Sequence, residues 1–153
     1  MKPQAFCGKI VFETYSDRTP SFKNIRVQKL ASQLITELLP DAVCKRNIIL
    51  NNIHPALTVH TDDNMLAYIL WNMLSGAIKS TEAKCIHLDV ELHDKGIIIL
   101  VQDAGHSFYK NISPEYRRVQ FVAQKLGGNV SVNNKVDNTT TVAFTLFGES
   151  EAA

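Results

Sequence analysis

The chain has 153 residues, 45% of them hydrophobic and 20% charged, and its formal net charge at pH 7 is +1. These values are typical of one globular domain, and so small a net charge gives no electrostatic reason to expect binding to nucleic acid or to a membrane surface. No apolar run approaches the roughly 20 residues that cross a bilayer, so we expect no membrane contact by this segment.

The N-terminus and the cysteines bear on localisation. The first residues, MKPQAFCGKIVF, lack the long apolar core and the small-residue cleavage site of a signal peptide. Cys7, Cys44 and Cys85 are too few and too scattered for a disulfide framework or a metal-binding pair. These features favour a cytoplasmic location, either for the chain by itself or for the cytoplasmic part of a larger membrane sensor.

The first third of the chain is predicted to contain an extension, a strand and a helix. Residues 1–24 are predicted to be an N-terminal extension or linker with a short accessory strand at 9–14. A brief strand at 25–27 follows, and then a helix over 28–43 with Pro40 near its end. The helix is indicated by leucines at helical spacing, namely Leu30, Leu34, Leu38 and Leu39.

A central helix is predicted over 62–81, after two short strands at 48–50 and 56–60. Thr61, Asp62 and Asp63 provide side-chain oxygens that start a helix, and the acidic charge of the two aspartates suits its positive end. Apolar residues at helical spacing predict that one side faces a core, and they are Leu66, Ile69, Leu70, Met73, Leu74, Ala77 and Ile78.

A hairpin is predicted after the central helix. Residues 85–93 alternate apolar and polar side chains, which is typical of a half-buried strand, and 97–101 form a solid apolar strand. The turn lies at 94–96 and ends in glycine, which supplies a positive φ. Residues 102–112 are predicted to form a loop.

The last part of the chain is predicted to form a helix and a second hairpin. Residues 113–114, a serine N-cap followed by proline, start the helix, and the two glycines at 127–128 end it. Strands at 130–133 and 140–147 follow, and the tail at 148–153 is predicted to be disordered.

The predicted order is therefore strand, helix, two strands, helix, two strands, helix and two strands. Such a mixture is typical of a two-layer α/β sandwich, with a mixed sheet and about three helices on one face. We expect one domain at 25–147, between the N-terminal extension and the tail.

Two groups of polar residues are candidates for a functional site. Asn72, Gly76 and Lys79 are spaced at i, i+4 and i+7 on the central helix, so they form either a solvated face or one wall of a ligand pocket. Asp103 follows a buried strand directly, where its carboxylate can accept a hydrogen bond from an exocyclic amine. Gly105 lets a flat ligand approach the backbone.

These elements together resemble the catalytic, ATP-binding domain of sensor histidine kinases, which has the Bergerat fold of the histidine kinase-like ATPase superfamily. The resemblance covers residues 23–147. The central helix carries LWNMLSGAIKST, which is similar to N-L-L-x-N-A-I-K-Y-T, and the hairpin ends in VQDAGHS, which is similar to the D-x-G-x-G loop. The last helix and hairpin carry QKLGGNVSVNN and TTTVAFTLF, which are similar to H-G-G-x-I and G-T-T-F-x-F-x-L-P.

The resemblance implies a vestigial nucleotide pocket that contains Asn72, Gly76, Lys79, Asp103, Gly105 and Thr140. Within it, the family uses the second Asn of the helix motif to bind Mg²⁺. That position is Gly76 here, which has no side-chain oxygen.

Two further departures concern the phosphate end of the pocket. In the family, glycines open the helix after the loop and expose N–H groups to phosphate. The corresponding residues 113–116 are Ser-Pro-Glu-Tyr, in which proline lacks an N–H and glutamate would repel phosphate. Only nine residues separate Asp103 from Ser113, which is too short for the mobile lid of the family.

These losses leave Lys79 as the recognisable phosphate partner. Charge-assisted contacts contribute a few kcal/mol each, so we expect an affinity lower by several decades than in the family. We therefore expect no cofactor and no bound Mg²⁺, although Asp103, Gly105 and Thr140 are compatible with weak binding of ADP or ATP.

Two hypotheses for function remain open. The first is a degenerate histidine kinase-type domain that acts as a non-catalytic binding or regulatory module in bacterial two-component signalling. The alternative is the ATP-binding catalytic fragment of an active sensor kinase, which would phosphorylate a histidine on a separate helical domain. The resemblance implies as partners a response-regulator receiver domain, a histidine kinase dimerisation domain or a second copy of the chain.

No residue is assigned a catalytic role. None of the histidines begins the phosphoacceptor motif of the family, and all are predicted to lie in loops or strands: His54, His60, His87, His93 and His106. An adaptor that takes up phosphate without nucleotide would need such a histidine on a helix. Whether the chain is an enzyme therefore stays open.

Overall fold

The computed structural model describes residues 18–102, 114–134, 139–147 and 150–152. These residues form three helices and eight strands. The helices are α1 (Val27–Cys44), α2 (Asp63–Ser80) and α3 (Pro114–Lys125). The strands are β1 (Lys23–Arg26), β2 (Ile48–Asn51), β3 (Leu57–Thr61), β4 (Cys85–His93), β5 (Gly96–Gln102), β6 (Gly128–Asn134), β7 (Thr140–Phe147) and β8 (Ser150–Ala152). Their order is the predicted one, with β8 added at the end.

The strands form a main sheet and a small sheet. The main sheet has the order β2-β4-β5-β7-β6 and is mixed, because β2 runs parallel to β4 while the other neighbours are antiparallel. In the small sheet, β3 pairs with β1 on one side and with β8 on the other. The strands before and after Pro55 therefore belong to different sheets.

One face of the main sheet is buried against the helices. Alternate residues of a strand point to the same face, and on β5 and β7 the buried set is Ile97, Ile99, Val101, Val142, Phe144 and Leu146. Helix α2 packs on β5 and contacts both other helices, and all the apolar residues predicted for its inner side are buried. The predicted two-layer α/β sandwich is confirmed.

The β4–β5 hairpin is confirmed, and its glycine has a second role. His93 pairs with Gly96 across the turn, and Gly96 has a φ of 152°. A Cβ at this position would also overlap the carbonyl oxygen of Leu146 on β7. Glycine is therefore required both by the backbone conformation and by the close approach of the neighbouring strand.

Some expectations differ from the structure or lie outside it. The tail at 148–153 is predicted to be disordered, whereas Ser150–Ala152 forms β8 along β3, because strand pairing uses backbone groups that every non-proline residue has. The predicted strand at 9–14 and the predicted loop at 102–112 lie outside the described residues, except for Gln102, which is the last residue of β5 and not part of a loop. His60, His87 and His93 lie on strands as predicted.

Among the described helices, none is long and apolar enough to cross a membrane.

Candidate functional site

Helix α2, which carries the predicted site, is anchored at its N-terminus by a buried carboxylate. Asp62 is 1% exposed and is the N-cap of the helix. Its Oδ1 accepts a hydrogen bond from the Met65 N–H at 2.9 Å, and its Oδ2 accepts one from the Ser21 N–H at 2.8 Å. The first bond satisfies an N–H that lacks an intrahelical partner, and the second holds the segment before β1 against the helix.

The C-terminus of α2 is anchored by Asn47, which the sequence patterns do not single out. The buried amide donates from Nδ2 to the carbonyl oxygens of Ile78 at 3.2 Å and Thr81 at 3.3 Å. Its Oδ1 accepts a hydrogen bond from the Lys84 N–H at 3.0 Å. The last carbonyls of a helix have no intrahelical donors, so Asn47 fixes the helix end and the loop after it. The only sequence signal is an asparagine between a helix and a strand.

The three predicted residues of α2 have different environments. Asn72 is half-buried, and its Nδ2 donates to the Tyr68 carbonyl oxygen at 2.8 Å. Gly76 is buried and Lys79 is exposed, while the Lys79 carbonyl oxygen accepts a hydrogen bond from Lys45 Nζ at 3.3 Å. Residue 76 thus gives no side-chain oxygen ligand to a cation beside this helix, and the Asn72 side-chain N–H₂ group already bonds to its own helix.

Helix α3 lies against α2 close to these residues, as the environment of Tyr68 indicates. The Tyr68 side chain is 2% exposed, and burial raises its pKa to about 12. The Arg118 charge lowers this pKa and the Glu115 charge raises it. Helix α3 contacts α2, so these two charges act on α2 at Tyr68, one helical turn before Asn72.

The first two residues of α3 are less suited to binding an anion than glycines would be. Pro114 is its first residue and has no N–H, and the exposed Glu115 lies in its first turn. A carboxylate at this position interacts favourably with the positive helix end. The same carboxylate would repel a phosphate there, and the predicted N-cap at Ser113 lies outside the described residues.

Thr140 is the predicted pocket residue outside α2 that the structure describes. It is 2% exposed and is the first residue of β7. Its neighbour Thr141 pairs with Gln102, the last residue of β5, so Thr140 lies at the edge of the sheet where β5 ends. Asp103 and Gly105 continue the chain from there but lie outside the described residues. Their place in a nucleotide pocket, like that of the other four residues, stays a prediction.

Across 18–102, 114–134, 139–147 and 150–152, no group of three or more His, Cys, Asp or Glu side chains could hold a metal ion. Cys44 and Cys85 are free and exposed. A Mg²⁺ ion that accompanies a nucleotide takes most of its ligands from phosphates and water, so the expectation that Mg²⁺ is not bound stays a prediction.

Known proteins match this chain by structure but not by sequence. No protein-family model matches the chain, and no curated protein matches its sequence. Solved structures do match, among them the Acinetobacter baumannii histidine kinase AdeS, with a TM-score of 0.76 and 11% identity over 92% of this chain and 73% of that one. The nucleotide-free catalytic domain of histidine kinase ThkA has a TM-score of 0.72 and 14% identity over 86% of this chain and 99% of that one.

A third structure contains ThkA in complex with the response regulator protein TrrA. It matches with a TM-score of 0.73 and 14% identity, over 92% of this chain but only 46% of the ThkA chain. At such low identity, these similarities establish the fold. The chain has the histidine kinase-like ATPase fold, as the sequence motifs predict.

Proposed function

We propose that this chain is a degenerate histidine kinase-type ATPase domain, which acts as a non-catalytic binding or regulatory module in two-component signal transduction. The main observation behind this proposal is the identity of residue 76. Helix α2 is anchored at both ends by Asp62 and Asn47, so its scaffold is intact. At the position of the metal-binding Asn in the family motif, however, it has a buried glycine.

Other groups around this helix support the same proposal. The Asn72 amide donates to a carbonyl oxygen of its own helix. Where the family has glycines that offer N–H groups to phosphate, this chain has Pro114, which has no N–H, and Glu115, whose carboxylate would repel a phosphate.

Thermal unfolding of the full chain with ATP or ADP, with and without Mg²⁺, tests the proposal. A ligand at 100 times its dissociation constant stabilises a protein by about 2.7 kcal/mol. We expect no Mg²⁺-dependent rise in Tm with millimolar ATP, and at most a small rise with ADP. Calorimetry that gives a micromolar, Mg²⁺-dependent dissociation constant for ATP would contradict the proposal.

Two variants test the effect of the missing metal ligand separately from that of the missing phosphate-binding groups. Gly76→Asn restores the missing oxygen, and Gly76→Ala is the control for adding a side chain at a buried position. We expect Gly76→Asn to bind Mg²⁺–ATP no more tightly than Gly76→Ala, because Pro114 still has no N–H to offer a phosphate and the Glu115 carboxylate still repels one. Recovery of micromolar affinity by Gly76→Asn alone would mean that only the metal ligand is missing.

The proposed partner is a protein of a two-component system. ThkA was crystallised with a response regulator, so a receiver domain is one proposed partner, and a histidine kinase dimerisation domain is the other. Incubation of the chain with a separate dimerisation domain and labelled ATP distinguishes a binding module from a kinase. We expect no phosphohistidine, and its formation would establish the chain as an active catalytic fragment.

A further inference from the structure

One face of α3 combines basic charge with an exposed aromatic ring. Arg117, Phe121 and Lys125 follow one another at intervals of four residues, so they form one ridge, which we call the basic helix face. Phe121 is 44% exposed, and the half-buried Lys125 places its Nζ 5.5 Å from the Phe121 ring centroid, where Nζ also donates to the Arg18 carbonyl oxygen at 3.0 Å. Arg117 is exposed on the turn before. This ridge carries two positive charges and no negative charge around an apolar centre.

The main sheet has a second surface of opposite charge. On the side away from the helices, Asp89 and Glu91 of β4 lie directly opposite Leu100 and Ile98 of β5. We call these four residues and Phe147, which is 58% exposed on β7, the acidic sheet face. Ile98 and Leu100 are half-buried, and Glu91 is exposed beside His93, whose Nε2 lies 3.4 Å from Glu91 Oε1.

Among the described residues, no helix covers the acidic sheet face. The side chains of β4 and β5 that face the helices, including Ile86, Leu88 and Ile99, alternate with those of the acidic sheet face and therefore lie on the other side of the sheet. The acidic sheet face therefore presents branched apolar side chains next to two carboxylates. A partner that fits it needs positive charges placed around an apolar group. The basic helix face has that composition.

We propose that copies of this chain associate with one another, the basic helix face of one copy contacting the acidic sheet face of the next. Arg117 and Lys125 are opposite in charge to Asp89 and Glu91, and Phe121 can pack on the apolar strip formed by Ile98 and Leu100. The inference goes beyond the proposed function and does not depend on nucleotide binding.

The positions of the two surfaces determine the type of assembly. The basic helix face belongs to the helix layer, and the acidic sheet face lies on the far side of the main sheet. A contact between them is heterologous, so each copy keeps one unused surface of each kind. Association therefore increases steadily with protein concentration and does not stop at a dimer unless a ring closes. Exposed charge pairs are screened by salt, so high ionic strength weakens it.

Sedimentation equilibrium of the full chain over micromolar to several hundred micromolar concentrations tests the proposal. We expect the weight-average mass to rise above the monomer mass of 17.1 kDa at low salt, and to fall at high salt. Arg117→Glu or Glu91→Lys should each weaken association at least about tenfold, because each places like charges opposite one another. Lys29→Glu, an equal charge change at an exposed position of α1, is the control and should associate like the wild type.

An equimolar mixture of the Arg117→Glu and Glu91→Lys proteins distinguishes direct contact from an effect on folding. Each variant then finds a complementary surface on the other, so the mixture should associate as the wild type does. Circular dichroism checks that both are folded, and Lys125→Glu with Asp89→Lys is the substitute pair if one is not. A monomeric wild type, a monomeric mixture, or single variants that associate normally would each overturn the proposal.

Discussion

Thr61, the last residue of β3, carries a fully buried hydroxyl group. Its Oγ1 has no hydrogen-bond partner within the part of the chain that the structure describes. A buried polar group without a partner costs roughly 1–3 kcal/mol. Thr61→Val replaces the hydroxyl with a methyl group of nearly the same shape and keeps the β-branch that suits a strand. We expect the free energy of unfolding, measured by urea denaturation, to rise by about 1 kcal/mol.

Thr58 on the same strand is a matched control for this substitution. It is half-buried, and its hydroxyl is not among the described buried groups that lack a hydrogen-bond partner, so Thr58→Val makes the same change without removing such a group. We expect no gain in stability from that change. If Thr61→Val has a lower free energy of unfolding than the wild type, the Thr61 hydroxyl has a hydrogen-bond partner in the folded protein.

The two residues that anchor α2 show which contacts the sequence can predict. Asp62 caps the helix through the N–H of Met65, three residues away, and such local contacts follow from residue type and position. Asn47 bonds to carbonyl groups 31 and 34 residues away, and no local pattern specifies that pairing. The predicted site helix was therefore located from the sequence, whereas the group that fixes its C-terminal end was not.

At the scale of elements, the edge strand β6 is held by side chains of α3. The Val130 N–H donates to Gln120 Oε1 at 2.9 Å, and Gln120 Nε2 donates to the Val130 carbonyl oxygen at 2.8 Å. Tyr116 Oη donates to the same carbonyl oxygen at 2.9 Å. The outer backbone groups of Val130 are thus paired with a helix, which makes this edge unavailable to another strand at that residue.

Gln120→Met should weaken this attachment. The substitution keeps the length of the side chain but removes both its donor and its acceptor, so the Val130 N–H loses its partner. We expect the free energy of unfolding to fall by about 1–2 kcal/mol in urea, with faster hydrogen exchange at the Val130 amide. Gln124→Met, at an exposed position of the same helix, is the control. Equal stability of the two variants would contradict a structural role for the Gln120 amide.

The elements themselves were largely predictable, but their pairing was not. Helical spacing located α2, and alternation with a glycine turn located the β4–β5 hairpin, because both patterns are local. The parallel pairing of β2 with β4, and the assignment of β3 to a different sheet, depend on contacts across the intervening helix. Of the candidate site, the sequence correctly placed Asn72, Gly76 and Lys79 along one helix, and it placed Thr140 at the start of a strand.

At the scale of the whole molecule, the packing of α3 on α2 links stability to pH through Tyr68. Burial raises the pKa of this phenol from 10.0 to about 12, with opposing effects of Arg118 and Glu115. The unfolded chain loses the proton near pH 10, and the folded chain keeps it until about pH 12. The stabilisation is therefore fully present below pH 10 and is lost progressively between pH 10 and 12.

Tyr68→Phe isolates this contribution, because lysines and other tyrosines also titrate at alkaline pH and affect both proteins alike. A shift of two pKa units corresponds to about 3 kcal/mol, so the free energy of unfolding of the wild type should fall by up to that amount relative to Tyr68→Phe between pH 10 and 12. Urea denaturation at several pH values measures the difference, and ultraviolet absorbance follows phenol ionisation directly. Parallel pH profiles for the two proteins would mean that Tyr68 ionises at its ordinary pKa, and that α3 does not exclude water from it.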